Sequence, residues 1–411
     1  MHKESNLTSI ITKVFGANFF AASAGIALII ILSRFLTVEE FGRFNFIVST
    51  IMIVYTVYDF GFVNSSVIFI NRNLNTKYES LQHINFIYHR YAFFIFLLNV
   101  IGISFLKKFS HLSNYEIIMI GSSSFVLFVI KYMQALLLAH GKWGIYNNIS
   151  LINNFSKLII IGSTLYFISH SDTYTLSNIS YIVYSIFLLV TIFLISKKYF
   201  TATTSAISND RSREIISITW PIGLQNIILI ILMRSDLLII NAFLNPKDLG
   251  IYSAANQLAL IFPLLTTAIS TVFLKVGSSI SKRDFFNEII KTQKILLFPS
   301  VVIILCTFFF RAEIITLIFG MKYIESSIIF LILLVINIFS VFFSGIESYT
   351  FIHKQRIFLL IKLFQLIIFL VSSLLLINSL GLYALLISIA AYKIFGWLTC
   401  NIIVLKDNKL I

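Results

Sequence analysis

The chain has 411 residues, of which 58% are hydrophobic and only 12% charged, and its mean hydropathy is +0.94. A soluble domain carries about 25% charged residues, so this composition excludes a soluble globular enzyme, and the long unbroken apolar runs exclude a transmembrane β-barrel. Lys and Arg number 31 against 17 Asp and Glu, a net charge of +14; in a membrane protein that excess first reports loop topology rather than a nucleic-acid partner.

A helical crossing needs about 20 apolar residues. Twelve spans are predicted, at residues 9–33, 41–70, 84–106, 115–138, 145–169, 176–196, 215–243, 249–274, 290–310, 324–350, 357–377 and 381–405. The first lacks a small-residue cleavage site and is expected to remain in place. The longest polar connection, about residues 197–214, is too short to fold alone. With an even number of spans both termini share a side. Loops on that side hold seventeen Lys and Arg and the opposite loops seven, so the termini are expected to be cytoplasmic. Cys306 and Cys400 fall in predicted spans without metal-ligand spacing and read as buried free thiols. There is no Gly-rich phosphate loop followed by Lys and Ser or Thr, so no nucleotide-hydrolysing domain is expected. No catalytic residue, metal site or cofactor is assigned.

An internal repeat joins the two halves. FLTVEEFGRF at 35–44 aligns with FLNPKDLGIY at 243–252, an offset of 208. Phe35, Leu36 and Gly42 meet Phe243, Leu244 and Gly250, while Glu40 meets Asp248, Phe41 meets Leu249 and Phe44 meets Tyr252. Each segment is the first outer loop of a six-span half. Six is even, so the halves share an orientation and form parallel repeats. The fold class is therefore an all-α polytopic membrane protein, with twelve transmembrane helices in two six-helix lobes around a central cavity. The N-terminal lobe is expected at 1–200, a cytoplasmic linker at 201–214 and the C-terminal lobe at 215–411.

Seven cations remain once the loops are counted: Lys13, Arg90, Lys131, Lys157, Arg234, Lys362 and Lys393. A charge at the bilayer centre costs about 2.5–3.5 kcal/mol on insertion scales, so these must face a bundle interior, a wet cavity or an interface. Lys13, Arg90, Lys131 and Lys362 lie near cytoplasmic ends, where a long stem can also snorkel. Lys157 and Lys393 lie near mid-span. Arg234 precedes Asp236 by two residues, a spacing that points the two side chains apart. In the fifth span Asn147, Ser150, Asn154, Lys157 and Thr164 share one helix face, either as cavity lining or as interhelical hydrogen-bonding groups. The seventh span adds Gln225 and Asn226. Pro221, Pro263 and Pro299 lie in second-half spans and the first half has none, so bending is expected there. The carboxylates Asp59, Asp236 and Glu347 are candidates for proton or sodium coupling, or structural partners of cations. Seven cations against three acids make a positive interior, suited to an anionic headgroup.

SRFLTVEEFGRFNF (33–46) resembles the signature after the first helix of bacterial polysaccharide flippases. MRSDLLIINAFLNPKDLGIYSAANQL (233–258) resembles that family's second-half segment, and ALLLAHGKWGIYNNISLINNFSKL (135–158) resembles its join of the fourth and fifth spans. Thr37 stands where the family commonly has Gly, a departure expected to affect only a loop. The chain thus resembles an O-antigen flippase (Wzx type) of the polysaccharide transporter family. Its superfamily also holds multidrug exporters and the lipid II flippase. The resemblance implies alternating-access transfer of an undecaprenyl-pyrophosphate-linked oligosaccharide repeat unit across a bacterial inner membrane, in lipopolysaccharide O-antigen biosynthesis. The cations expected to bind that cargo are Lys13, Arg90, Lys131, Lys157, Arg234 and Lys393, with Asn147, Asn154, Gln225 and Asn226 lining the path. The implied partners are the lipid bilayer, an O-antigen polymerase and a chain-length regulator, with no nucleic acid and a monomeric state. Two alternatives differ in requirement. A multidrug cation antiporter calls for an acidic cavity, and an O-antigen polymerase or ligase for a large outer loop.

Overall fold

The computed structural model describes residues 23–72, 77–109, 112–139, 142–168, 172–196, 209–263 and 281–407, with a few single positions between 266 and 277. Among these residues there are helices and no strand. In chain order they are α1 (Ser23–Phe35), α2 (Val38–Asp59), α3 (Phe62–Arg72), α4 (Lys77–Phe109), α5 (Asn114–Ala139), α6 (Trp143–Phe167) and α7 (Thr173–Ser196). The second half gives α8 (Asn209–Phe243), α9 (Pro246–Ala259), α10 (Lys282–Ile318), α11 (Ser326–His353), α12 (Gln355–Leu380) and α13 (Leu382–Asp407). Nine stretches among the described residues are long and apolar enough to cross a membrane. The other three predicted spans fall on α1, on α6, and on α9 with the partly described residues after it.

Helices dominate because lipid offers backbone groups no partner. Polar side chains within them follow the same logic: Thr56, Ser66 and Ser348 donate to the carbonyls of Met52, Phe62 and Ser344 one turn back, at 2.8, 2.7 and 2.8 Å.

The repeated loop is a pair of helix caps. Thr37 precedes α2, its hydroxyl accepts from the Glu40 N–H at 3.2 Å, and Glu40 accepts from the Thr37 N–H at 2.8 Å. This is a capping box. Asn245, which the repeat aligns with Thr37, caps α9 by accepting from the Asp248 N–H at 2.8 Å, with Pro246 in the first turn. Thr37 is thus a helix cap, a role beyond the loop variation expected of it.

Two expectations change. The predicted span 41–70 is two helices. Phe60 (φ 40°) and Gly61 (φ 77°) are left-handed and end α2, and Asp59 then accepts from the N–H groups of Gly61 at 3.2 Å and Val63 at 2.9 Å. The break frees the Tyr58 carbonyl, which accepts instead from the Tyr91 hydroxyl at 2.7 Å. No proline is involved at this break, and Pro221 lies inside the continuous α8. In α10 the non-helical residue is Phe310, beyond Pro299, where Arg311 donates to the Phe308 carbonyl at 2.7 Å. Finally, Cys400 is buried but Cys306 is exposed on α10, among the exposed Val302, Leu305, Phe308 and Phe309.

Two compact units divide the chain. The first takes the residues up to Leu36 and Ile47–Ile230; the second takes Thr37–Phe46 and Ile231–Ile411. The first has an aromatic core in which Tyr88 stacks on Tyr132 at 3.4 Å between ring centres, with Phe62, Phe128 and Ile84 around them. Gly61 packs there against Gly223, with a Cβ position 2.6 Å from the Gly223 nitrogen. The second unit has a core of Phe285, Tyr349, Phe358, Ile361 and Cys400, in which Phe285 and Tyr349 stack at 5.8 Å.

Candidate functional site

In the first unit the polar face of α6 largely satisfies itself. Asn154 donates to the Ser150 carbonyl at 3.0 Å and Thr164 to the Ile160 carbonyl at 2.7 Å, both one turn back. Lys157 instead lies over the Tyr181 ring of α7, 4.7 Å from its centre, a cation–π contact with no negative charge. Asn153, beside the predicted stripe, accepts from the Tyr184 hydroxyl. The Asn147 side chain and all of Lys13 lie outside the described residues. Arg90 is exposed and lies over the Phe86 ring at 4.4 Å. Lys131 is within electrostatic reach of Asp59. Gln225 and Asn226 are half-buried, with no hydrogen-bond partner found among the described residues.

The same unit holds a hydrogen-bonded tyrosine–asparagine network that sequence reasoning missed. Tyr58 donates to Asn99 at 3.2 Å, Asn99 to the Gly121 carbonyl at 2.9 Å, and Tyr132 to Asn85 at 2.6 Å. These residues come from α2, α4 and α5, so no local spacing links them.

The second unit holds three polar groupings. Asp236 of α8 is buried and accepts from the Tyr252 hydroxyl at 2.7 Å and from Asn256 at 3.3 Å, both on α9. Arg234 is half-buried and has no hydrogen-bond or ion-pair partner among the described residues. Lys393 of α13 donates to the Asn337 side-chain oxygen of α11 at 2.7 Å, and Asn337 donates in turn to the Ala259 carbonyl at 3.2 Å. Lys362 of α12 pairs with Glu347 of α11 at 3.2 Å and lies over the Phe358 ring at 4.9 Å. The structure therefore joins Glu347 to Lys362, which sequence position alone had left as a snorkelling or cavity lysine. Gly396 makes room beside them for Gln365, which donates to the Tyr392 carbonyl at 2.9 Å.

Outside the spans, Thr175 donates its hydroxyl and its N–H to Asp172, which holds that carboxyl below the usual range. Lys247 and Glu325 form an exposed pair at 2.8 Å, and the carboxylate raises the ammonium above its ordinary value.

Apolar spans enclosing charged side chains held by neutral or single partners define a polytopic helical membrane protein. Known proteins with this architecture agree. A multidrug resistance MATE family transporter of the MOP superfamily, solved inward-facing, matches with a TM-score of 0.74 at 12% identity over 95% of this chain and 96% of that one. A lipid II flippase, MurJ, in an inward closed conformation matches with a TM-score of 0.76 at 14% identity over 96% and 87%. A MOP superfamily transporter from Pyrococcus furiosus, described as having a binding pocket of reverse polarity, matches with a TM-score of 0.62 at 12% identity over 96% and 95%. No curated protein matches the sequence.

The sequence family described as "Polysaccharide biosynthesis protein" matches residues 11–274, more than half of the chain. The chain belongs to that family, and its fold is the one seen in those MOP superfamily structures.

Proposed function

We propose that this protein is a flippase that carries undecaprenyl-pyrophosphate-linked O-antigen repeat units from the inner to the outer leaflet of a bacterial inner membrane, by alternating access. One observation supports the reading most. The two lysines nearest mid-span, Lys157 and Lys393, are held by neutral groups, a tyrosine ring and an amide oxygen. A cation at that depth is costly without a counter-charge, and a pyrophosphate headgroup supplies one as it leaves water. Exporting negative charge is also downhill, by about 2.3 kcal/mol per charge per 100 mV across a cytoplasm-negative membrane. Within this reading, Asp236 and Glu347 are the candidate coupling carboxylates. Asp59, with both oxygens on backbone N–H groups, fits a helix cap instead.

The test is to neutralise Lys157, Arg234 and Lys393 together as glutamines. Lipid-linked oligosaccharide should accumulate in the inner leaflet while the protein stays at its normal level. Unimpaired surface polysaccharide in that variant refutes the assignment. Ethidium efflux that depends on this protein would favour the multidrug reading, for which a basic interior is poorly suited.

A further inference from the structure

Lys362, Glu347 and Lys393 lie within electrostatic reach of one another in the second unit. The elements that hold them pack around other titratable groups: Tyr392, within reach of both Asp236 and Glu347, and Cys400, within reach of Glu347 and Lys362. Asp236 is engaged by Tyr252 and Asn256, so the two ammonium groups share the single carboxylate of Glu347, and the only hydrogen-bond partner of Lys393 among the described residues is the neutral Asn337.

The pair is also lopsided. The Lys362 side chain is 10% exposed, whereas that of Glu347 is 36% exposed, and a single carboxylate oxygen makes the contact at 3.2 Å. Glu347 lies six residues before the end of α11 and Lys362 seven after the start of α12, about 9–11 Å from those helix ends at 1.5 Å per residue. A carboxylate that exposed at that depth faces water rather than lipid, since in lipid it would carry the full insertion penalty. The lysine is therefore the fixed partner and the carboxylate the replaceable one.

We propose that Glu347 is the resident counter-ion of a two-lysine anion site, Lys362 and Lys393, and that a pyrophosphate group binds by displacing Glu347 from Lys362. The proposal rests on the flippase reading and names the subsite that reading leaves open. Two cations suit a ligand with two phosphoryl groups. Glu347 then has a second consequence: its return to Lys362 expels the bound anion, so the site need not hold its cargo after translocation.

The experiment measures binding of undecaprenyl pyrophosphate, and separately of inorganic pyrophosphate, to the full-length protein in nanodiscs. Glu347→Gln should bind about tenfold tighter than the unaltered protein, and transport of lipid-linked oligosaccharide should fall. The gain should vanish in a Lys362→Gln background, and Lys393→Gln should weaken binding. Glu347→Asp, which shortens the side chain with little threat to folding, should give an intermediate gain. A gain with both probes identifies the phosphates as sufficient; a gain with undecaprenyl pyrophosphate alone identifies the lipid-borne headgroup as the ligand. Equal or weaker binding by Glu347→Gln and Glu347→Asp at an unchanged melting temperature overturns the proposal. So does a gain that persists without Lys362. Failure of the unaltered protein and of every variant to bind either probe overturns the flippase reading as well, which separates the two failures.

Discussion

Gly42 and Gly250, the same position in the two halves of the internal repeat, touch backbone to backbone within the second unit. A Cβ on Gly42 would sit 2.4 Å from the Gly250 nitrogen, and one on Gly250 would sit 2.0 Å from the Val38 carbonyl oxygen. Neither neighbour is a flexible side-chain end, so the backbone itself would have to move. Phe41 beside them packs on Tyr323 at 5.6 Å and Phe319 at 6.1 Å between ring centres, which leaves little room for that movement.

Alanine at either glycine should therefore destabilise the protein by about 1–3 kcal/mol through overpacking. Gly250→Ala should be the worse of the two, because its clash is the closer. Thermal unfolding in detergent measures this. An unchanged melting temperature for both would mean that the two helices are held apart in the membrane.

Asp59 offers a way to separate a cap from a coupling group. Its two oxygens serve Gly61 and Val63 at the α2–α3 break. Asn retains an acceptor and Ala retains none. Asp59→Asn should keep transport near its normal level, and Asp59→Ala should lose about 0.5–2 kcal/mol of stability. Abolished transport in a stably folded Asp59→Asn protein would instead assign the charge itself a role.

The buried Asp236 accepts from Tyr252 at 2.7 Å. Tyr252→Phe removes that donor while keeping the ring. Losing a hydrogen bond to a charged group costs about 1.5–3 kcal/mol, so this variant should melt lower than the unaltered protein. Asp236→Asn in the same background should recover part of the loss, because the buried carboxylate that has lost a donor is gone. A strictly additive double variant would show that the two side chains do not act together.

The Asp172 carboxyl, held low by the Thr175 hydroxyl and N–H, predicts a pH dependence. A carboxyl whose folded value is depressed stabilises the protein above its unfolded value and loses that contribution as pH falls through the folded one. Asp172→Ala should thus melt lower at pH 7, and its difference from the unaltered protein should shrink once pH drops below about 4. A difference independent of pH would mean that the Thr175 contacts do not depend on ionisation.

Much of the fold was legible because lipid imposes it. Long apolar runs must be helices, and their lengths follow from bilayer thickness. The aligned segments at 35–44 and 243–252 marked the repeat, although the alignment did not reveal that Thr37 and Asn245 both cap helices. The break at Phe60 and Gly61 carries no proline to signal it; Asp59 and a glycine make it. The Tyr58–Asn99 and Tyr132–Asn85 contacts were missed because each joins residues at least 41 positions apart.

The same division holds for the charges. The amino-acid sequence by itself determined that this is a strongly basic helical membrane protein with seven cations inside or beside its spans, because hydropathy and loop charge are local properties that no folding can alter. Only the tertiary structure decided what each cation meets: Lys157 a tyrosine ring, Lys393 an amide, and Lys362 the carboxylate of Glu347. Those partners come from neighbouring helices, and side-chain electrostatics act over a few ångströms. Which lysine is neutralised and which is left to attract an anion therefore depends on packing that no stretch of sequence contains.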